Sequence, residues 1–166
     1  MSIVIERVLT AIPALQAFVA AHHAEMEGTA PPESQHALSF DRLLEPGVRL
    51  FAGYHDGRAV ATGALAAVDD GHEELKSMRI APTSRRQGFG RAMLAFLIGD
   101  AGSRGIRRLS LETGRDPFFA PARALYADAG FVECEAFGRY LPDPHSAFLT
   151  LAPVPAAGME AAPHAG

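Results

Sequence analysis

The chain has 166 residues, 48% of them hydrophobic and 20% charged, which suits one globular domain and leaves no room for a second of ordinary size. No run of about 18 apolar residues occurs, which excludes a membrane-spanning helix, and the N-terminus meets an acid at Glu6 instead of offering the basic stretch and apolar core of a secretion signal. The expected location is therefore the cytoplasm. The single cysteine, Cys134, excludes an internal disulfide and a multi-thiolate metal cluster, and is expected as a small core residue.

The net charge of −4 is unevenly spread. Ten of the fifteen basic residues lie between Lys76 and Arg123 against only three acids there, while five basic residues meet sixteen acids in the rest of the chain. One cationic segment in a mildly acidic protein argues against coating nucleic acid and for a compact anionic ligand.

In chain order, Ser2 to Leu9 reads as a strand, and Pro13 opens a helix whose apolar residues Ala14, Leu15, Phe18 and Val19 recur at helical spacing as far as about Met26. Ser34 to Leu44 reads as a short second helix, closed by Glu45-Pro46-Gly47. Three antiparallel strands follow, Val48–Tyr54, Arg58–Val68 and Glu73–Ile80, joined by turns at His55-Asp56-Gly57 and Asp69-Asp70-Gly71. A third helix runs from Arg91 to about Ser103, then a strand from Ile106 to Glu112, a helix from Pro121 to Ala129, and strands at Phe131–Phe137 and Ala147–Leu151. The order β-α-α-β-β-β-α-β-α-β-β predicts an α/β domain over residues 1–152 built on a mixed, mostly antiparallel sheet. Residues 153–166 carry no periodic apolar face and are expected to be a disordered tail.

One strand breaks its own alternation. Leu75 is odd while Met78 and Ile80 are even, so a regular strand cannot aim all three at one core face. A β-bulge near Lys76-Ser77 would restore them and bend the strand away from its neighbour; a strand buried on both faces is the alternative.

The chemistry starts where that strand ends. In Arg85-Arg86-Gln87-Gly88-Phe89-Gly90-Arg91, two glycines and the start of a helix bring free amides and the positive end of a helix dipole to one spot, with arginines raising the potential further. Such a cradle suits phosphate, and a glycine-rich turn with solvated arginines is the plain alternative. No lysine follows Gly90, which excludes the P-loop pattern, and Met93 stands where a dinucleotide fingerprint needs its third glycine.

Arg85-x-x-Gly88-x-Gly90 resembles the Gln/Arg-x-x-Gly-x-Gly/Ala signature of the GNAT superfamily of N-acetyltransferases, which follows a bulged, splayed central strand and opens the third helix. The element order agrees, and Ala122 to Phe131, with Leu125, Tyr126 and Gly130, is similar to that superfamily's next motif. ELKSMRI, LETG and FGRYLPDPHSAFL are closer to a bacterial subgroup of acetyltransferases. The resemblance spans about Ile3 to Leu151. It implies acetyl-CoA as co-substrate, with the pantetheine arm along Met78, Arg79 and Ile80, the pyrophosphate on the amides of Arg86, Gln87, Gly88, Phe89, Gly90 and Arg91, and Arg85 in the same site; no metal is expected. It also implies a backbone N–H near Ile80 that polarises the thioester carbonyl, and Tyr126 as the general acid on the CoA sulfur; a packed helix tyrosine is the alternative for Tyr126.

For the base, Glu74 is the expected residue, with Glu73 and Glu112 as further candidates. A solvated carboxylate pair is the alternative for Glu73 and Glu74, anchoring of neighbouring arginines is the alternative for Glu112, and the resemblance also allows deprotonation by bulk water without a base. The acceptor is expected to be an amine of a small molecule or peptide, entering beside His22, His23, Glu25 and His36, with cationic amines first because of the acidic remainder. His22, His23 and Glu25 do not share one helix face, which argues against a metal there. Neither nucleic acid nor membrane is an expected partner, and a homodimer through the exposed last strands is an arrangement the resemblance allows. The expected activity is direct acetyl transfer in a ternary complex; a non-catalytic acyl-CoA-binding regulatory module is the alternative.

Overall fold

Two tight turns build the first half of the sheet. Asp56 and Gly57 both take positive φ, 49° and 74°, the mirror-image turn whose twist suits a two-residue hairpin, and Gly71 at φ 72° closes the next one. In this computed structural model, which describes residues 2–156, they join β2 (Val48–His55), β3 (Arg58–Asp69) and β4 (His72–Ile80). β1 (Val4–Val8) pairs with β2, while β5 (Arg108–Gly114), β7 (Ser146–Leu151) and β6 (Val132–Glu133) continue on the far side, giving the order β1-β2-β3-β4-β5-β7-β6. Every neighbouring pair is antiparallel except β4 with β5.

Helices cover both faces. α1 (Pro13–Met26) and the single turn α2 (Phe40–Leu43) bury Leu15, Val19, Phe40 and Leu43 against Leu50, Ala52 and Ala64. α3 (Phe89–Ser103) and α4 (Ala120–Asp128) pack Phe89, Met93, Leu94, Leu97 and Tyr126 onto Phe51, Leu65, Leu75, Leu109 and Leu111. This is the expected mixed, mostly antiparallel α/β sheet.

Four expectations are corrected. The helix expected over 34–44 is a 3-10 turn at Pro32–Ser34 and the short α2, because its buried apolar residues, Phe40 and Leu43, span a single turn and an isolated short helix is marginal in water. The strand expected over 131–137 stops at Glu133, and Phe137 leaves the sheet for an aromatic cluster with His72, Tyr140 and Phe148. Cys134, just past β6, is half-buried instead of a core residue. Val154, expected in the tail, is instead 8% exposed in the α3 core, and its amide donates to the Arg107 carbonyl at 2.9 Å. The rest of the expected tail, 157–166, lies outside the described residues.

Candidate active site

β4 carries the bulge that its parity demands. Thr62 faces Arg79 and Ala64 faces Lys76, so Gly63 stands opposite both Ser77 and Met78, and Ser77 takes φ 51°. The extra residue turns Leu75, Met78 and Ile80 together onto the α3 core, leaving Glu74, Lys76 and Arg79 for the opposite side of the strand. β4 then parts from β5. Their parallel pairing lasts only from His72 to Glu74 against Arg108 to Ser110, after which β5 continues with β7 alone. The edge of β4 from Leu75 to Ile80 therefore opens onto a wedge between two strands.

The expected phosphate cradle sits at the mouth of that wedge. Gly88 caps α3 at φ 84°, a conformation that favours glycine, and Arg86 takes φ 63° just before it. The first intrahelical bond runs from the Ala92 amide to the Gly88 carbonyl at 3.1 Å, so the amides of Phe89, Gly90 and Arg91 precede the helical ladder. Gly90 has a second reason to be glycine: a Cβ there would stand 3.3 Å from Leu125 Cδ2 of α4. The Phe89 side chain is 2% exposed in the core, which leaves only its backbone for a ligand. Arg85 and Arg86 are exposed beside the turn, while Gln87 reaches back to the Thr83 carbonyl at 3.5 Å and Arg91 lies 3.6 Å from Asp128. Free amides, a helix start and the exposed Arg86, which makes no ion pair among the described residues, fit a pyrophosphate.

Wedge and cradle form one cleft of about 680 Å³, and Tyr126, Glu74, Met78, Arg79, Ile80 and Glu112 all line it. Tyr126, from α4, is 6% exposed and packs edge-on against Phe131, and burial pushes its phenol well above the usual range, so it stays protonated. Burial also raises the Glu112 carboxyl, with the Glu74 charge adding to the rise against Ser146, His36 and Lys76.

Glu74 is already engaged: its Oε1 accepts from Lys76 Nζ at 3.1 Å and from the Tyr140 hydroxyl in a very short contact. Lys76 Nζ also donates to Tyr140 Oη at 2.9 Å, and the His36 ring meets Tyr140 edge-on at 5.0 Å. Burial, then the Glu74 charge, pushes the Tyr140 phenol far up. Tyr140 and Lys76 escaped the sequence reading. The i,i+2 spacing of Glu74 and Lys76 was a readable signal, whereas Tyr140 arrives from a loop that no periodicity announces.

The remaining expected groups divide. Glu73 is not in the cleft; its buried carboxylate makes a bidentate pair with Arg104, just past the end of α3, at 2.6 and 2.9 Å. Arg79 turns its side chain away from the wedge, stacking on Phe18 at 4.9 Å and donating to Glu25 Oε1 at 3.0 Å. Glu25 Oε2 accepts from Arg85 at 2.9 Å, which ties α1 to both β4 and the cradle. His22 lines the cleft, and burial, with Arg79 next, lowers its pKa to about 4.

The sequence profile of the acetyltransferase (GNAT) family matches residues 15–131. The chain belongs to that family. As a GNAT protein it is an acyltransferase enzyme. It is 43% identical over 139 residues to the uncharacterized N-acetyltransferase YedL of Escherichia coli, covering 84% of this chain and 87% of that one. A Klebsiella pneumoniae structure provisionally described as an acyl-CoA N-acyltransferase superposes with a TM-score of 0.73 at 30% identity, over 92% of this chain and 97% of that one. A GNAT acetyltransferase from Elizabethkingia anophelis with acetyl-CoA bound shares the fold at a TM-score of 0.66 and 18% identity, covering 90% and 97%. Among the described residues no helix is long and apolar enough to cross a membrane.

Proposed function

We propose that this GNAT protein transfers an acetyl group from acetyl-CoA to an amine of a small molecule or peptide by direct attack in a ternary complex. The observation that carries the proposal is the parting of β4 from β5 after Glu74, which opens an unpaired strand edge directly into the α3 cradle. Acetyl-CoA supplies an acetyl group activated as a thioester.

The amides of Phe89, Gly90 and Arg91, with Arg85 and Arg86, hold its pyrophosphate. The free edge of β4 at Met78, Arg79 and Ile80 offers backbone donors and acceptors to the pantetheine arm, and an N–H near Ile80 polarises the thioester carbonyl. Tyr126, kept neutral by burial, donates a proton to the leaving sulfur. Glu74 receives the proton of the acceptor amine; its Oε1 already takes N–H from an ammonium, and Glu112 stands by as a second carboxylate in the same cleft.

Charge pairing refines the acceptor. Glu25 is matched by Arg79 and Arg85, and Glu74 by Lys76, so the acceptor end does not concentrate the acidic surplus of the whole chain. This supports neutral and zwitterionic amines as acceptors alongside cationic ones.

The test is release of free CoA thiol from acetyl-CoA across a panel of cationic, neutral and zwitterionic amines, with cofactor binding measured by calorimetry. Thiol release with at least one class is expected. Tight binding without release for any amine would leave a non-catalytic acyl-CoA-binding module, and no binding would remove both readings.

A further inference from the structure

Lys76 is the only lysine in the sequence; the other fourteen of its fifteen Lys and Arg residues are arginine. That one side-chain amine lines the candidate active-site cleft. We propose that Lys76 is a self-acetylation site: its Nζ takes an acetyl group from acetyl-CoA bound in the same molecule. The inference rests on the acetyltransferase function proposed above and adds an acceptor within the chain.

Three observations converge on it. A guanidinium stays protonated and is no acceptor for an acyl group, whereas an ammonium that gives up a proton becomes a nucleophile, so the cleft holds the chain's single lysine amine capable of the reaction. Lys76 sits on β4 immediately before the bulge, one residue from the Ser77-Met78 pair where the strand edge opens. Its Nζ already donates to Glu74 Oε1 at 3.1 Å, the arrangement that an acceptor amine needs in order to lose a proton to that carboxylate. The side chain is 12% exposed, which keeps it from entering the cleft of a second molecule and makes the transfer intramolecular.

The step balances without any further reactant. The Lys76 ammonium gives one proton to Glu74, the freed lone pair forms the Nζ–C bond to the acetyl carbon, and the C–S bond breaks. The departing thiolate takes a proton from Tyr126, the first proton passes from Glu74 to solvent, and the second proton lost from nitrogen restores the Tyr126 hydroxyl. Acetyl-CoA and a lysine ammonium become an acetyl-lysine, CoA thiol and one proton. The product has no charge to pair with Glu74, so the acceptor end gains a net negative charge, and its single amide N–H can no longer serve both Glu74 Oε1 and Tyr140 Oη.

The experiment incubates the full chain with acetyl-CoA and no added amine, follows intact mass, and locates the label by peptide sequencing. The expected result is one acetyl group on Lys76, added at a rate per molecule independent of protein concentration and suppressed by excess desulfo-CoA. Lys76→Arg should take up no label at this peptide. An unlabelled Lys76 peptide, a label confined to the N-terminal amine, or a rate proportional to protein concentration would overturn the proposal. Thiol release with the amine panel is read in parallel, so loss of self-acetylation alone leaves the acetyltransferase function standing.

Discussion

The hydroxyl of Thr62, 2% exposed in β3, donates to the carbonyl of Ser77 at 2.9 Å, fastening the bulged residue of β4 to its neighbour. Ser77 holds φ 51°, which for a residue with a Cβ costs of order 1–2 kcal/mol unless the surroundings enforce it. Thr62→Val keeps the shape and removes the donor, leaving a carbonyl without its partner. Urea unfolding should show a loss of about 1–2 kcal/mol, and the dissociation constant for CoA should rise, while Thr62→Ser should restore both. Unchanged CoA affinity in a destabilised Thr62→Val protein would separate the bulge from cofactor binding.

Tyr126→Phe tests the proposed proton donor. The ring is packed against Phe131 and the hydroxyl contributes no hydrogen bond to the fold among the described residues, so stability should change little. Thiol release should fall by about 10²–10⁴-fold, the usual range for a lost general acid, with CoA affinity retained. Full turnover in this variant would return Tyr126 to a packing role.

The two carboxylates of the acceptor end are separable. Glu74→Gln leaves Lys76 without its anion and removes the group proposed to receive the amine proton, so kcat/KM should fall by about 10²-fold or more. Glu112→Gln, whose burial already favours the protonated form, should cost less at neutral pH. Because the folded Glu112 carboxyl titrates above its ordinary value, the wild type should carry an acidic limb in its rate profile that Glu112→Gln shifts. A larger loss for Glu112→Gln than for Glu74→Gln would move the base assignment to Glu112.

Glu25 joins three elements through two arginines. Removing its charge leaves Arg79, whose side chain is 4% exposed, as a buried cation stacked on Phe18 with no carboxylate beside it. Glu25→Gln should therefore destabilise the fold by about 2–4 kcal/mol, read as a lowered denaturant midpoint. Arg85→Ala, which removes the exposed partner alone, should cost less than about 1 kcal/mol in stability and appear mainly as weaker CoA binding.

Much of this was legible because local chemistry and tertiary need coincide. The parity conflict among Leu75, Met78 and Ile80 has no solution without an extra residue, and the bulge falls where Lys76-Ser77 put it. Gly88 and Gly90 mark the cradle because one needs a left-handed φ and the other a close helix neighbour. Less legible were side chains whose partners come from distant loops. Glu73 and Glu74 look equivalent in sequence, yet alternation sends Glu73 to Arg104 and Glu74 to the cleft. Tyr140 reaches Glu74 from 66 residues away, and the segment before α2 gives up helix to place His36 against it.

His22 gives the fold a specific acid sensitivity. Burial, followed by the neighbouring charges of Arg79 and His23, lowers its pKa from 6.5 to about 4, with Glu25 opposing. Between those values the unfolded chain binds a proton that the folded chain refuses, so stability rises with pH across this window. As pH falls, the loss starts near 6.5, grows to at most about 3 kcal/mol, and levels off near 4 once the folded imidazole also takes its proton. His22→Gln, which cannot titrate, should flatten this part of the stability curve while leaving the steeper carboxylate-driven loss at lower pH. Chemical denaturation of both proteins at pH 7, 5.5 and 4 measures the difference (about 0, intermediate and full). Parallel curves for wild type and His22→Gln over that range would show that the imidazole takes its proton equally well in the folded and unfolded chain, with Glu25 balancing burial and Arg79.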